Sequence, residues 1–201
     1  MKTSTHKETE PLWSLGETID FDSPFESRLN ISLLPIDFFD HWDRCASIAD
    51  FFGDYFQQNF RAKDSKQVIT DVLGEMLENA IRYSYNKSIP VEVELRRRGG
   101  DLLVEIENSM SRAQIGRFEE LCRELFSTDL DALYLQKMIS GEDHARISGI
   151  GLILLRKDYD VQLQIDASQS PEGHAQLRMR LLLKLDPPDS SSHAPAGNAP
   201  L

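Results

Sequence analysis

A chain of 201 residues is long enough for one domain with a full core and too short for two ordinary ones. Hydrophobic residues at 40% and charged residues at 27% exclude a disordered class, and a formal net charge of −11 speaks against a general nucleic-acid binder, which must neutralise phosphates with a basic surface. Only Cys45 and Cys122 are present, far apart and in helical contexts, so neither a disulfide framework nor a zinc cluster is expected. The start, MKTSTHKETEPLW, is polar where a signal peptide needs an apolar segment, and no apolar run reaches the roughly eighteen residues of a membrane span. A cytoplasmic protein is expected.

Residues 1–15 lack periodicity and read as a disordered tail, 16–185 as a single domain, and 186–201, DPPDSSSHAPAGNAPL, as a proline- and serine-rich disordered tail. Phe21 to Phe25 have no assignable place. Arg28 to Leu34 alternates as a strand and Pro35 ends it. From Ile36 to about Phe60 an aromatic-rich helix is expected, with Phe38, Phe39, Trp42, Phe51, Phe52, Tyr55 and Phe56 supplying more than one apolar face. A homodimer contact through this helix is one reading and simple core packing the other.

The next helix organises the chain. Over Asp71 to Ser84 the residues Val72, Leu73, Met76, Leu77, Ala80 and Ile81 recur at helical spacing, while Glu75, Asn79 and Arg82 group along the flank. Glu75 and Asn79 stand at i and i+4, so an acid and an amide meet on the helix surface. Asn is a poor residue inside a helix, which invites another reason for its presence. Asn86 is the expected C-terminal cap.

Val91, Val93 and Leu95 alternate as a strand, Gly99-Gly100-Asp101 turns it, and Leu102, Val104 and Ile106 return with Asn108 in phase with the buried set. The run Arg96-Arg97-Arg98 reads as a solvated hairpin end, with a docking patch as the alternative. Ser111 to Gln114 has the form of a capping box and opens a helix with Ile115, Phe118, Leu121, Cys122 and Leu125 inward; Thr128 and Asp129 begin another. Residues 142–146 form a loop in which His144 and Arg146 are candidates to cover a phosphate. Arg156 and Lys157 answer the dipole of the following helix. Val161 to Ala167 and Leu177 to Leu185 alternate as the last two strands, around the turn Ser170 to Gly173. The class is therefore α+β, a two-layer sandwich with a mixed, mostly antiparallel sheet and helices on one face.

At Ser148-Gly149-Ile150-Gly151-Leu152 a glycine pair opens the helical run to Tyr159. Glycines at a helix start let the backbone approach a phosphate, whose charge the free N–H groups and the helix dipole favour. Each of these signals alone is also what an ordinary turn or an exposed helix carries. Their order along the chain resembles the GHKL superfamily, whose nucleotide site is the Bergerat fold. That resemblance implies ATP and Mg²⁺ as ligands, Glu75 as general base, Asn79 as magnesium ligand, Arg82 at the phosphates, and Ser148, Gly149, Gly151 and Leu152 as the glycine motif. Asn108 stands where the family carries an aspartate that accepts from the adenine amino group, and the glycines that follow it there are Ser109-Met110-Ser111 here. EMLENAIRYS and SGIGLILLRKDYD, with the helical insertion Ser111 to Ser140, are similar to the SiaB-like group of small ATP-binding kinases, relatives of anti-sigma-factor serine kinases. Such a kinase would phosphorylate a serine or threonine of a STAS-like anti-sigma antagonist. The alternative is a GHKL-fold module that binds a signalling partner without effective turnover.

Overall fold

The computed structural model describes residues 10–140, 149–159 and 161–186. Of the tails expected over 1–15 and 186–201, residues 1–9 and 187–201 lie outside the described residues, as does the loop with His144, Arg146 and Ser148. Among the described residues six strands and five α-helices follow one another: β1 (Glu10–Gly16), β2 (Ser27–Leu33), α1 (Asp43–Gln57), α2 (Ser65–Tyr83), β3 (Val91–Arg98), β4 (Asp101–Met110), α3 (Arg112–Ser127), α4 (Leu130–Ser140), α5 (Ile150–Asp158), β5 (Gln162–Gln169) and β6 (Ala175–Lys184). No helix among the described residues is long and apolar enough to cross a membrane.

The strands form one sheet in the order β1-β5-β6-β4-β3-β2. All five pairings are antiparallel, which corrects the mixed sheet expected from the sequence. Residues 10–15, read as tail, form β1 against β5, with Trp13 opposite Ala167 and Leu15 opposite Ile165. A seven-residue edge strand with only two inward apolar residues carries too little alternation to stand out in a sequence.

Period-two alternation gives the sheet two unlike faces. Val93, Leu95, Val104, Ile106, Leu163, Ile165, Leu177, Met179 and Leu181 share one continuous core with the helices. The other face is charged: Arg180 Nε lies 2.6 Å from Glu105 Oε2 and Arg178 Nη2 2.8 Å from Glu107 Oε2. Residues 17–26 lie against this face, burying Ile19 and Phe21 on Leu103 and Leu182. The arginine run, expected to be solvated, clamps this segment instead. Arg96 stacks on Phe21 at 4.3 Å and Phe25 at 5.0 Å, Arg97 pairs with Glu26, and Arg98 Nη1 lies 3.7 Å from Asp20 Oδ2.

The aromatic helix begins later than expected. Pro35 opens a 3₁₀ helix, Pro35–Phe38, and turns with bonds from Phe39 N to Ile36 O, His41 N to Phe38 O and Arg44 N to His41 O carry the chain to the start of α1 at Asp43. Phe52 and Phe56 are fully buried, whereas Phe51 and Tyr55 are exposed on the outer side of α1. Cys45 and Cys122 are both buried, and burial pushes the Cys45 thiol up to about 11, so neither is a nucleophile at neutral pH.

The capping box forms as expected. Gln114 N donates to Ser111 Oγ at 3.2 Å, Ser111 N donates to Gln114 Oε1 at 2.8 Å, and Gln114 Nε2 reaches back to Tyr83 O at 3.2 Å. The start of α3 is thereby pinned to the end of α2. Ser111→Ala is expected to lower stability by about 1 kcal/mol, read as a shift of the urea midpoint; an unchanged midpoint would contradict the cap.

Candidate functional site

The apolar stripe of α2 is buried through Ile69, Val72, Leu73, Met76, Leu77, Ala80 and Ile81, so the polar flank of the helix lies at the edge of the core. There Asn79 Nδ2 donates to Glu75 Oε1, and both side chains are half-buried. The end of α2 is held by Ser84 Oγ donating to Ala80 O at 2.7 Å and by Lys87 Nζ donating to Ile81 O at 2.7 Å and Arg82 O at 3.1 Å. Burial pushes the Lys87 ammonium down from its ordinary value. Asn86, expected to cap the helix, instead accepts from Ser88 N at 2.9 Å within its own turn. The chain leaves α2 in extended conformation at Ser84, too early for an amide at 86 to reach the last carbonyls.

Tyr85 N donates to Ser109 O at 2.8 Å and ties this end of α2 to β4. Asn108 then lies beside the helix, 3% exposed, with Nδ2 3.4 Å from Ala80 O and 3.5 Å from Ser109 O. Its Oδ1 is buried and has no hydrogen-bond partner among the described residues. The two carbonyls fix the amide, because turning it over would set oxygen against oxygen. An acceptor is therefore presented to whatever occupies the space beside it.

The glycine motif arrives from α5. Gly149 is the residue before the first turn, with φ of 70°, a left-handed conformation that suits glycine. A Cβ there would meet Leu121 Cδ1 at 2.5 Å. One residue into the helix, a Cβ on Gly151 would overlap Oε1 and Cδ of Glu75. The helix start therefore lies directly on the carboxylate of α2, an approach only glycine permits. The rest of α5 is stapled down by the two cations read as answering its dipole. Arg156 Nη1 donates to Leu125 O at 2.6 Å, and Lys157 Nζ lies 3.0 Å from Asp131 Oδ1.

These segments enclose a cleft of roughly 230 Å³, lined by Glu75, Asn79, Arg82, Asn108, Gly149, Gly151 and Leu152 together with Ala80, Tyr83, Met110, Phe118, Leu177 and Met179. Every site residue expected from the sequence and described in the structure thus lines one space. Phe118, Leu177 and Met179 carried the right periodicity but read as core, since a local pattern cannot separate a pocket wall from a core contact. Arg82 lines the cleft, but its guanidinium is engaged elsewhere, with Nη2 3.5 Å from Glu78 Oε2 and Cζ 5.5 Å over the Trp42 ring.

The lining combines a carboxylate, an amide and a glycine-opened helix start with the apolar side chains of Met110, Phe118, Leu177 and Met179. Among the described residues no group of three or more His, Cys, Asp or Glu side chains could hold a metal ion. The donor set of Glu75 and Asn79 suits a hard cation that arrives with oxygen ligands of its own, as magnesium does on phosphates. Comparisons with protein-family models and with curated proteins return no match.

Proposed function

We propose that the cleft binds Mg-ATP and that the chain is a serine/threonine protein kinase of a bacterial partner-switching pathway, with a STAS-like anti-sigma antagonist as substrate. The observation that carries this reading is the meeting of Glu75 and Asn79 from α2, Asn108 from β4 and Gly149 and Gly151 from α5 in one cleft. Helices on one face of an antiparallel sheet suit the two-layer Bergerat fold of GHKL proteins, and that is the fold we assign. The work would be done in the cytoplasm.

The apolar walls would take the base, with Asn108 Oδ1 accepting from an exocyclic amine. Glycine at 149 and 151 lets the backbone of the α5 start approach the phosphates, where its N–H groups and helix dipole favour the anion. With Nδ2 of Asn79 given to Glu75, the amide oxygen is left for the cation. A bound magnesium supplies neutralisation of the phosphate charge. Glu75 accepts the proton of the incoming serine or threonine hydroxyl as that oxygen bonds to the γ-phosphorus and the bond to ADP breaks. Positioning and charge do most of the work, because phosphoryl transfer needs little covalent help. Arg82 can turn to the phosphates at small cost, since an exposed i, i+4 ion pair is worth only about 0.3–0.5 kcal/mol.

Asn79→Ala is expected to weaken Mg-ATP binding by about tenfold, or ~1.4 kcal/mol, in a calorimetric titration. An unchanged affinity would remove the metal role. The reading as a whole is tested by incubation with γ-labelled ATP, Mg²⁺ and STAS-like proteins. Label moving to the partner supports the kinase; ATP binding with no transfer selects the module that holds a partner without turnover. That second reading is favoured by the amide at 108 and by the engagement of Arg82 with Glu78 and Trp42.

A further inference from the structure

The segment between β2 and α1 carries a surface that the cleft does not use. Pro35–Phe38 form a 3₁₀ helix, bonds from Phe39 N to Ile36 O and His41 N to Phe38 O turn the chain onward, and α1 begins at Asp43. Pro35 and Phe38 are buried. Ile36, Phe39 and Trp42 are exposed by 53%, 71% and 41%. Asp37, Asp40 and Asp43 alternate with them along the segment, all exposed and none with an ion-pair partner among the described residues. Single exposed apolar residues are ordinary, but three within eight residues, interleaved with three unpaired carboxylates, form an amphipathic strip.

We propose that this strip, Ile36 to Asp43, is a docking surface for a basic, apolar segment of another protein. Charge chooses the occupant. A second copy of the chain would bring aspartates against aspartates, and the carboxylates repel anionic lipid and nucleic acid alike. A segment presenting apolar residues next to Lys or Arg buries the exposed apolar side chains and meets each carboxylate with an opposite charge. The bonded backbone turns and the buried Pro35 and Phe38 hold the strip in shape before anything binds, which lowers the ordering cost of association. The surface reaches the mouth of the cleft, because Trp42 carries the Arg82 guanidinium on its ring. The proposal nevertheless stands apart from the reading of the cleft, and its test uses no nucleotide.

The test is fluorescence anisotropy of the full chain with a labelled amphipathic peptide of Leu and Lys at helical spacing, against the same peptide with Glu for Lys. Three variants accompany the wild type: Phe39→Ser, the triple Asp37→Asn/Asp40→Asn/Asp43→Asn, and a control with equal charge loss on the far side of the sheet, Glu10→Gln/Glu17→Gln/Asp22→Asn. The substituted residues are exposed, and matching urea midpoints verify that each variant is folded. Saturable binding of the Lys peptide, weakened at least about tenfold by each strip variant and less than about twofold by the control, is the expected result. Equal binding to all four proteins, binding of the Glu peptide, or no binding would overturn the proposal. So would sedimentation showing a wild-type dimer that Phe39→Ser dissociates, since the occupant would then be a second copy.

Discussion

Glu75→Gln is expected to lower transfer of the γ-phosphoryl group by about 10²- to 10⁴-fold while leaving the affinity for Mg-ATP nearly unchanged. The amide keeps the size of the side chain and can still accept from Asn79, so the fold and the polar lining of the cleft stay intact. What is lost is the ability to take a proton. Gly151→Ala should produce the same loss by geometry alone. Its Cβ would occupy the volume of Glu75 Oε1 and Cδ, which belong to the flexible end of a side chain and can rotate away. Ala is also the better helix former by up to about 1 kcal/mol, which offsets the cost of that displacement. The variant should therefore melt within a few degrees of the wild type and transfer as poorly as Glu75→Gln. Single-turnover transfer and thermal melts are the measurements, and a Gly151→Ala protein with wild-type turnover would refute the placement of the base.

Asn108→Asp should destabilise the protein by about 3 kcal/mol at neutral pH. One carboxylate oxygen would take the place of Nδ2, which now lies 3.4 Å from Ala80 O and 3.5 Å from Ser109 O, at a position only 3% exposed. A buried charge facing two carbonyl oxygens is uncompensated. Burial raises the folded-state pKa of such a carboxyl above its unfolded value, so the penalty is absent where both states are protonated, grows as pH rises above the unfolded value, and is complete once pH exceeds the folded one. Protonated, the acid can donate to one of the same carbonyls. Urea midpoints of variant and wild type, compared at pH 5 and pH 8, should diverge at the higher pH. A difference that stays constant would show that lost packing, and not charge, is responsible.

The two neighbours of Asn108 account for its identity. In the sequence it is an inward-facing amide in a strand; in the structure its NH₂ is used and its oxygen is left over among the described residues. Period two in β4 was enough to aim it inward, because alternation is a property of the strand alone. The i, i+4 meeting of Glu75 and Asn79 and the glycine before α5 were legible for the same local reason. The engagement of Arg82 was not. It depends on Trp42, forty positions earlier and outside any helical period that includes Arg82.

The elements misjudged from the sequence share one cause. β1 is held by β5, whose residues lie some 150 positions away, and its own two inward residues carry almost no signal. The arginines at 96–98 look solvated until residues 20–26 fold back across the sheet. The delayed start of α1 follows from i→i+3 bonding after Pro35, where the aromatic run suited either helix. Sequence by itself determined the periods: the stripe of α2, the alternation of β3 to β6, the Gly99-Gly100 turn and the cap at Ser111. Those depend on interactions within a few residues. Only the tertiary structure decided which faces meet, and above all that Gly151 lies on Glu75, because contact between distant segments is set by sheet register and packing volume, which no local pattern encodes.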